Sequence, residues 1–264
     1  MIEPHFAAIG AGMIVGFSLG LVGGGGSVLA VPLLVYGVGV PDAHTAIGTS
    51  AAAVAVSAFA NLVSYARKDA VKWRCAAAFT LMGMVGARIG AEAAKAVDGK
   101  RLLALFGGAM IVIGLAMLRK REDRGDPSVF LSKANLFPLL PALLAMGFCV
   151  GALSGFFGIG GGFLIVPGLV FASGMPLANA IATSLVAVTA FGLTTAVTYA
   201  ASGLIDWPLA LQFIIGGLIG GLIGGQIGMY SSRKLAVRKT ALAIAFSAIV
   251  IAVGVYVVAR GILG

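Results

Sequence analysis

Charge is scarce in this sequence. Only 10% of its 264 residues are charged, against about 25% in an ordinary soluble domain. Hydrophobic residues make up 60%, and the mean hydropathy is +1.08. A water-exposed globule is excluded. The alternation of apolar and polar residues that marks a transmembrane β-barrel is also missing, so the long apolar runs point to helices that cross a bilayer. Only two cysteines occur, Cys75 and Cys149. Isolated from one another, they offer neither a disulfide framework nor metal-ligand spacing, and they read as packing residues. The two histidines, His5 and His44, fall in loops. No metal site is expected from them, and neither stands in a span to activate Ser154 of "GALSG" as a nucleophile. Neither enzymatic activity nor a cofactor is expected. Of nine acidic residues only Glu92 falls inside an apolar span, so the buried carboxylate usual in proton coupling is lacking. The opening "MIEPHF" has no basic start and no small-residue cleavage site follows, so the first apolar run is read as part of the mature protein.

What the sequence has instead is basic charge and glycine. Eighteen Lys and Arg against nine Asp and Glu give a net charge of +9. In a soluble protein that balance would suggest nucleic acid. Here the basic residues cluster in short loops between apolar runs, as on the cytoplasmic side of a membrane protein, and no nucleic-acid partner is expected.

The glycines are densest in two places, "GLVGGGGSVLAVP" from Gly20 to Pro32 and "GFFGIGGGFLIVP" from Gly155 to Pro167. At an offset of 135, Gly20, Gly23, Gly25, Gly26, Leu29, Val31, Pro32 and Pro41 match Gly155, Gly158, Gly160, Gly161, Leu164, Val166, Pro167 and Pro176. After a one-residue gap, Thr49-Ser50 matches Thr183-Ser184, Tyr65 matches Tyr199, and Trp73 matches Trp207. "GMVGARIGA" (83–91) then aligns with "GLIGGLIGG" (217–225). The chain is an internal duplication.

Each half reads as a glycine-tipped pair of arms followed by three long spans. Repeat 1 covers 1–118, with arms over 6–39 and spans over 46–66, 75–94 and 102–118. A basic cytoplasmic linker covers 119–133. Repeat 2 covers 134–264, with arms over 137–174 and spans over 180–201, 207–230 and 240–259. The second arm of each pair has twelve residues, about 18 Å of helix against a hydrocarbon core of about 30 Å. It cannot cross alone. Either it completes an interrupted helix or the pair is a re-entrant hairpin.

Charge separates the two. With hairpins the halves are inverted, and thirteen basic residues share one face: Arg67, Lys68, Lys72, Arg74, the five from Arg119 to Lys133, Arg233, Lys234, Arg238 and Lys239. Four face the other way: Lys95, Lys100, Arg101 and Arg260. Parallel halves divide the charges less well, so the expected fold is an all-α polytopic membrane protein of two inverted repeats, each a glycine-tipped re-entrant helical hairpin plus three transmembrane helices.

Irregular backbone survives in lipid only when buried in protein or lining a cavity. Two glycine tips from inverted halves would meet near the centre of the bilayer, with a helix opening after each, at Ser27 and at Gly162. Helix N-termini carry unpaired N–H groups and a positive dipole end, so the tips form an anion site without lysine or arginine. The candidate site residues are Gly23, Gly24, Gly25, Gly26, Ser27, Gly158, Gly160, Gly161 and Gly162, with Thr49, Ser50, Thr183 and Ser184 beside them. The four hydroxyls either donate to an anion or bond their own helix carbonyls. Asn61 and Thr195 occupy matching places deeper in the same spans and are further candidates for the site; Asn61 contacts substrate or makes an interhelical bond. Arg88 is the one basic residue well inside a span; it contacts substrate or pairs with Glu92 one turn on. For "GMVGARIGA" and "GLIGGLIGG", close helix packing is the expected role.

The paired glycine motifs, each followed by a proline and then "GTS" (48–50) or "ATS" (182–184), resemble the sulfite exporter TauE/SafE family of membrane transporters over nearly the whole chain. The resemblance implies transport of sulfur-containing anions such as sulfite, thiosulfate or an organosulfonate like sulfoacetate, and of related organic acids, in the bacterial inner membrane; a passive anion channel and a carrier of a non-sulfur organic anion are the alternatives. The expected partners are that small anion and the lipid bilayer. A coupling proton or sodium ion, the direction of transport and a homodimer are left open by the residues.

Overall fold

The computed structural model describes residues 4–67, 70–118, 136–158, 162–231 and 236–263, with side chains throughout except at 4–5, 22–25, 116–118, 136–138, 162–163, 228–231, 236–246 and 262–263. The basic linker at 119–133 lies outside them. Among the described residues there is no strand; the protein is an all-α polytopic membrane protein.

In the first half, α1 (Pro4–Val22) leads into a 3-10 segment (Gly23–Leu29), one turn of α2 (Ala30–Pro32) and a wide π turn (Leu33–Val38). Helices α3 (Ala43–Ala66), α4 (Trp73–Lys95) and α5 (Gly99–Leu118) follow. The second half repeats the plan with α6 (Leu136–Phe157), α7 (Gly162–Ser173), α8 (Leu177–Ala200), α9 (Trp207–Ser231) and α10 (Ala236–Leu263). Among the described residues four stretches are long and apolar enough to cross a membrane: Ala43–Ala66, Leu139–Phe157, Leu177–Ala200 and Trp207–Ile227. Large apolar side chains such as Phe59, Leu81, Ile89, Val112, Leu193, Leu211 and Leu222 are exposed, as a lipid-facing surface requires.

Aspartates set where several helices begin. The Asp42 carboxylate accepts from the Thr45 amide at 2.8 Å and its hydroxyl at 2.7 Å, so α3 opens at Ala43. His44 is thereby drawn into the first turn of α3, and His5 lies within α1, which corrects the loop placement expected of both. The His44 ring bonds the Ala94 carbonyl at 3.2 Å. Asp98 caps α5 through the amides of Lys100 and Arg101, and Asp206 caps α9 through the Leu209 amide at 3.0 Å. Partial burial pushes the Asp42 carboxyl upward, but bonds from Thr45 and the His44 amide outweigh it and hold it below the ordinary carboxylate range.

Packing joins the halves by exchange. Helices α1 and α9 run parallel: Gly12 lies against Phe213 and Gly217, Gly16 against Gly217, and Gly20 against Gly221 and Gly225. Their counterparts α6 and α4 do the same, with Gly147 against Phe79, Gly151 against Gly83 and Gly155 against Ala87. At these positions an added Cβ would strike a backbone carbonyl on the facing helix. The glycine-spaced stretches are therefore zippers in which backbones touch and Cα–H groups meet carbonyls. Equivalent helices pair with each other too, and they run antiparallel. Gly48 of α3 meets Tyr199 of α8 while Gly192 meets Ala51 and Ala55; Gly107 of α5 meets Gly254 and Val258 of α10 while Gly114 meets Ile251.

Candidate functional site

Each glycine cluster turns the chain back on itself. In the first half the 3-10 segment folds against the last turns of α1, where a Cβ on Gly26 would overlap the Leu19 amide and lie 2.7 Å from the Ser18 Cβ. Glycine alone lets these arms touch. Ser27 behind it is fully buried. The helix expected to open at Ser27 opens four residues earlier, because a run of residues without side chains winds tightly from Gly23.

In the second half Gly158 adopts the left-handed conformation (φ 66°) and donates its N–H to the Gly155 carbonyl at 3.3 Å. Helix α7 opens at Gly162, and Gly168 comes back beside Val150, so the arms lie side by side as a hairpin. Gly160 and Gly161 lie outside the described residues. The twelve residues of α7 are about 18 Å of helix, with its free amides at the bend.

Helix α3 touches both hairpins at different heights. The Ser50 hydroxyl donates to the Ile47 carbonyl at 2.9 Å and lies 3.3 Å from the Gly158 carbonyl, and the Ile47 side chain packs on Gly158. The Tyr65 hydroxyl donates to the Gly20 carbonyl at 3.2 Å. Ser50 and Tyr65 are fifteen residues apart, about 22 Å of helix. The hairpins therefore cross: each reaches toward a different end of α3, and the first 3-10 segment packs against α7. A single meeting point at the tips is replaced by this overlap because α1 and α6, with 19 and 22 residues, extend about 28 and 33 Å.

The threonines bind across the repeats. Thr49 Oγ1 accepts the Asp206 amide at 3.0 Å, and Thr183 Oγ1 accepts the Lys72 amide at 3.0 Å. These are equivalent bonds, since Asp206 precedes Trp207 as Lys72 precedes Trp73. Ser184 donates to the Ile181 carbonyl at 2.8 Å, the counterpart of Ser50 to Ile47. All four residues are buried.

Outside the threonine–serine pairs the candidates separate. Asn61 is buried, donates to the Ser57 carbonyl at 3.0 Å and packs on Gly221 and Gly225 of α9. Arg88 is on the exposed face of α4 beside Met84, Val85 and Ile89. Glu92 pairs with Lys95 at 2.8 Å, so the Arg88–Glu92 pair weighed from the sequence is not the one formed. Thr195 is fully buried, and its hydroxyl has no partner.

Three further hydroxyls share that condition among the described residues: Thr80, Ser154 and Tyr199. A buried hydroxyl without a partner costs about 1–3 kcal/mol and marks a place for water or an incoming polar group. Two of them carried a signal in the sequence. Ser154 stands one turn before the second bend, and Tyr199 is the repeat of Tyr65, whose hydroxyl is bonded while that of Tyr199 is not. A cavity of about 500 Å³ opens beside Asp206, lined by Asp42, Thr45, Leu209 and Gln212 among others.

Residues 8–257 match the sulfite exporter TauE/SafE family. The chain belongs to that family. It is 47% identical over 259 residues to a probable membrane transporter protein of Xylella fastidiosa (strain 9a5c), covering 98% of this chain and 97% of that one. Over 228 residues it is 28% identical to the probable membrane transporter protein YunE of Bacillus subtilis (strain 168), 78% of this chain and 81% of that one. A probable membrane transporter protein of Methanocaldococcus jannaschii, MJ0441, is 29% identical over 186 residues, 65% of each chain. These relatives are named as probable membrane transporters, and this member of the family is a multi-pass membrane protein.

Proposed function

We propose that this protein is a secondary transporter of a sulfur-containing anion, such as sulfite, thiosulfate or an organosulfonate, working by alternating access between two inverted repeats. The observation that carries the reading is the crossed pair of glycine hairpins. Gly23–Ser27 in one half and Gly158 and the opening turn of α7 at Gly162 in the other bring backbone amides beside the buried Ser27 and Ser50, where a dehydrated anion can be held by N–H groups and helix dipoles. Thr49, Ser50, Thr183 and Ser184 stand at the starts of the two helices that flank them, and the unpartnered hydroxyls of Thr195 and Tyr199 add donors. The antiparallel pairing of α3 with α8 and of α5 with α10 supports inverted halves, because equivalent helices of parallel halves would run the same way. Family membership supports an anion of sulfur as cargo.

The test is flux in proteoliposomes holding purified protein, with radiolabelled sulfite, thiosulfate or sulfoacetate outside. Saturable uptake is expected, together with a rise in melting temperature for the anion that is carried. Gly25→Leu and Gly160→Leu should abolish uptake while the protein still inserts. Unchanged uptake in either variant would refute the site. Unsaturable flux far above ~10³ s⁻¹ would instead identify a passive anion channel, since rigid-body gating takes microseconds to milliseconds or longer.

A further inference from the structure

We propose that Thr49 and Thr183 are the two latches of the transport cycle, one at each mouth, and that Asp206 and Lys72, whose amides they hold, give the mouths opposite charge and unequal affinity for the anion. The proposal rests on the transport reading above.

The latches follow from how the helices are tied. Helix α9 is zipped to α1, and α4 to α6, by backbone contact at glycines, so each pair moves as one stiff unit. Helices α3 and α8 form the antiparallel centre. At the first turn of α9, the bond from the Asp206 amide to Thr49 ties that unit to α3. At the first turn of α4, the bond from the Lys72 amide to Thr183 ties the other unit to α8. Both bonds are intact at 3.0 Å, so both latches are fastened in this structure. Opening either mouth requires one unit to leave the centre, which breaks one latch and spares the other.

The cavity of about 500 Å³ supports this placement. It is lined by Asp206 itself and by Thr45, one helical turn before Thr49, and so lies directly outside one latch. Its wall also carries the Asp42 carboxylate, held ionised by its Thr45 bonds.

Several positions differ in charge between the two mouths, and the two nearest the latches act in the same direction. Asp206 in one half stands where the other has Lys72. Between Pro41 and Thr49 the first half has one residue more than the second has between Pro176 and Thr183, and Asp42 in that stretch has no acidic counterpart among residues 177–182. Helix α3 is capped by Asp42, while α8 starts directly after Pro176 with no side-chain cap. One mouth thus gains two carboxylates, and the other has none at those positions and a lysine instead. An anion is held more weakly at the first and more strongly at the second.

Native chemistry supplies a reporter. Cys75 is fully buried, three residues past Lys72 in the first turn of α4. In a Cys149→Ala background, its alkylation by a membrane-impermeant maleimide reads the opening of the Lys72 mouth without any substrate. Thr183→Val should raise the alkylation rate several-fold, Thr183→Ser should restore the native rate, and Thr49→Val should not raise it. In the same vesicles, with radiolabelled sulfite, Asp206→Asn should lower KM measured from its face by roughly three-fold, and Lys72→Gln should raise KM from the opposite face by a similar factor, as one charge several ångströms away dictates. Equal Cys75 rates in wild type, Thr183→Val and Thr49→Val would overturn the latches. Unchanged KM values on both faces would overturn the charge asymmetry. Absence of sulfite flux in wild type would count against the transport reading, with the Cys75 rates still deciding the latches.

Discussion

A series of four glycine-to-alanine changes separates backbone strain from lack of space, and it is decisive for the second bend. At Gly158 both terms act. Its φ of 66° is left-handed, which costs a residue with a Cβ about 1–2 kcal/mol. The new Cβ would overlap the Ile47 side chain and come within 2.9 Å of its Cβ, well inside the 3.5–4.0 Å of ordinary carbon contact. Overpacking of this kind costs about 1–3 kcal/mol, so Gly158→Ala should lose about 2–5 kcal/mol in all. Gly203 has a φ of 69° and nothing within 4 Å, so Gly203→Ala should lose only the backbone term, about 1–2 kcal/mol. Gly151 is helical and would meet the Gly83 carbonyl, so Gly151→Ala should lose a packing term of about 1–3 kcal/mol, offset by about 0.5–1 kcal/mol of helix propensity. Gly108 is helical with nothing within 4 Å, and Gly108→Ala should gain about 0.5–1 kcal/mol from helix propensity. The assay is thermal unfolding of purified protein in detergent, where each kcal/mol corresponds to about 2–4 °C for a chain of this size. Gly158→Ala should melt lowest and Gly108→Ala highest. If Gly158→Ala melts no lower than Gly203→Ala, Ile47 does not press on the bend and the seat of the second hairpin beside α3 is wrong.

Two further outcomes are expected. Tyr199→Phe removes a buried hydroxyl that has no partner in the protein, so the unliganded variant should melt at or above the wild-type temperature while the melting shift induced by sulfite shrinks; a loss of several degrees without ligand would mean that the hydroxyl is bonded. Asp42 has a carboxyl held below its ordinary range, so its contribution to stability is present above about pH 4 and is lost as pH falls through the lowered value. An acid titration of melting temperature should therefore fall more steeply in wild type than in Asp42→Asn, and parallel curves would refute the role of the cap.

Much of the fold was legible because lipid leaves few options. Runs too apolar for water and too long for strands must be helices, and arms of twelve residues cannot span. The glycine motifs and the Thr-Ser pairs carry the family resemblance in the sequence itself. What stayed hidden was partnership. Gly12, Gly16 and Gly20 of α1 could zip against the glycines of α4, α6 or α9 equally well, since a stripe of small residues names no partner. The observed choice, α1 with α9 and α6 with α4, depends on contacts between residues some two hundred and some seventy positions apart. Thr49 and Thr183 illustrate the same limit. A hydroxyl in a span has a carbonyl of its own helix always within reach, and Ser50 and Ser184 take that bond. The threonines beside them face the first turn of a helix from the other repeat, where Lys72 and Asp206 hold amides that no helix can satisfy internally. Those two amides come from loops whose sequences differ between the halves, yet each presents the same donor to the same hydroxyl. Backbone chemistry thus keeps the duplication's symmetry where the side chains have lost it, and the difference in charge at the two mouths could evolve without disturbing the bonds that close them.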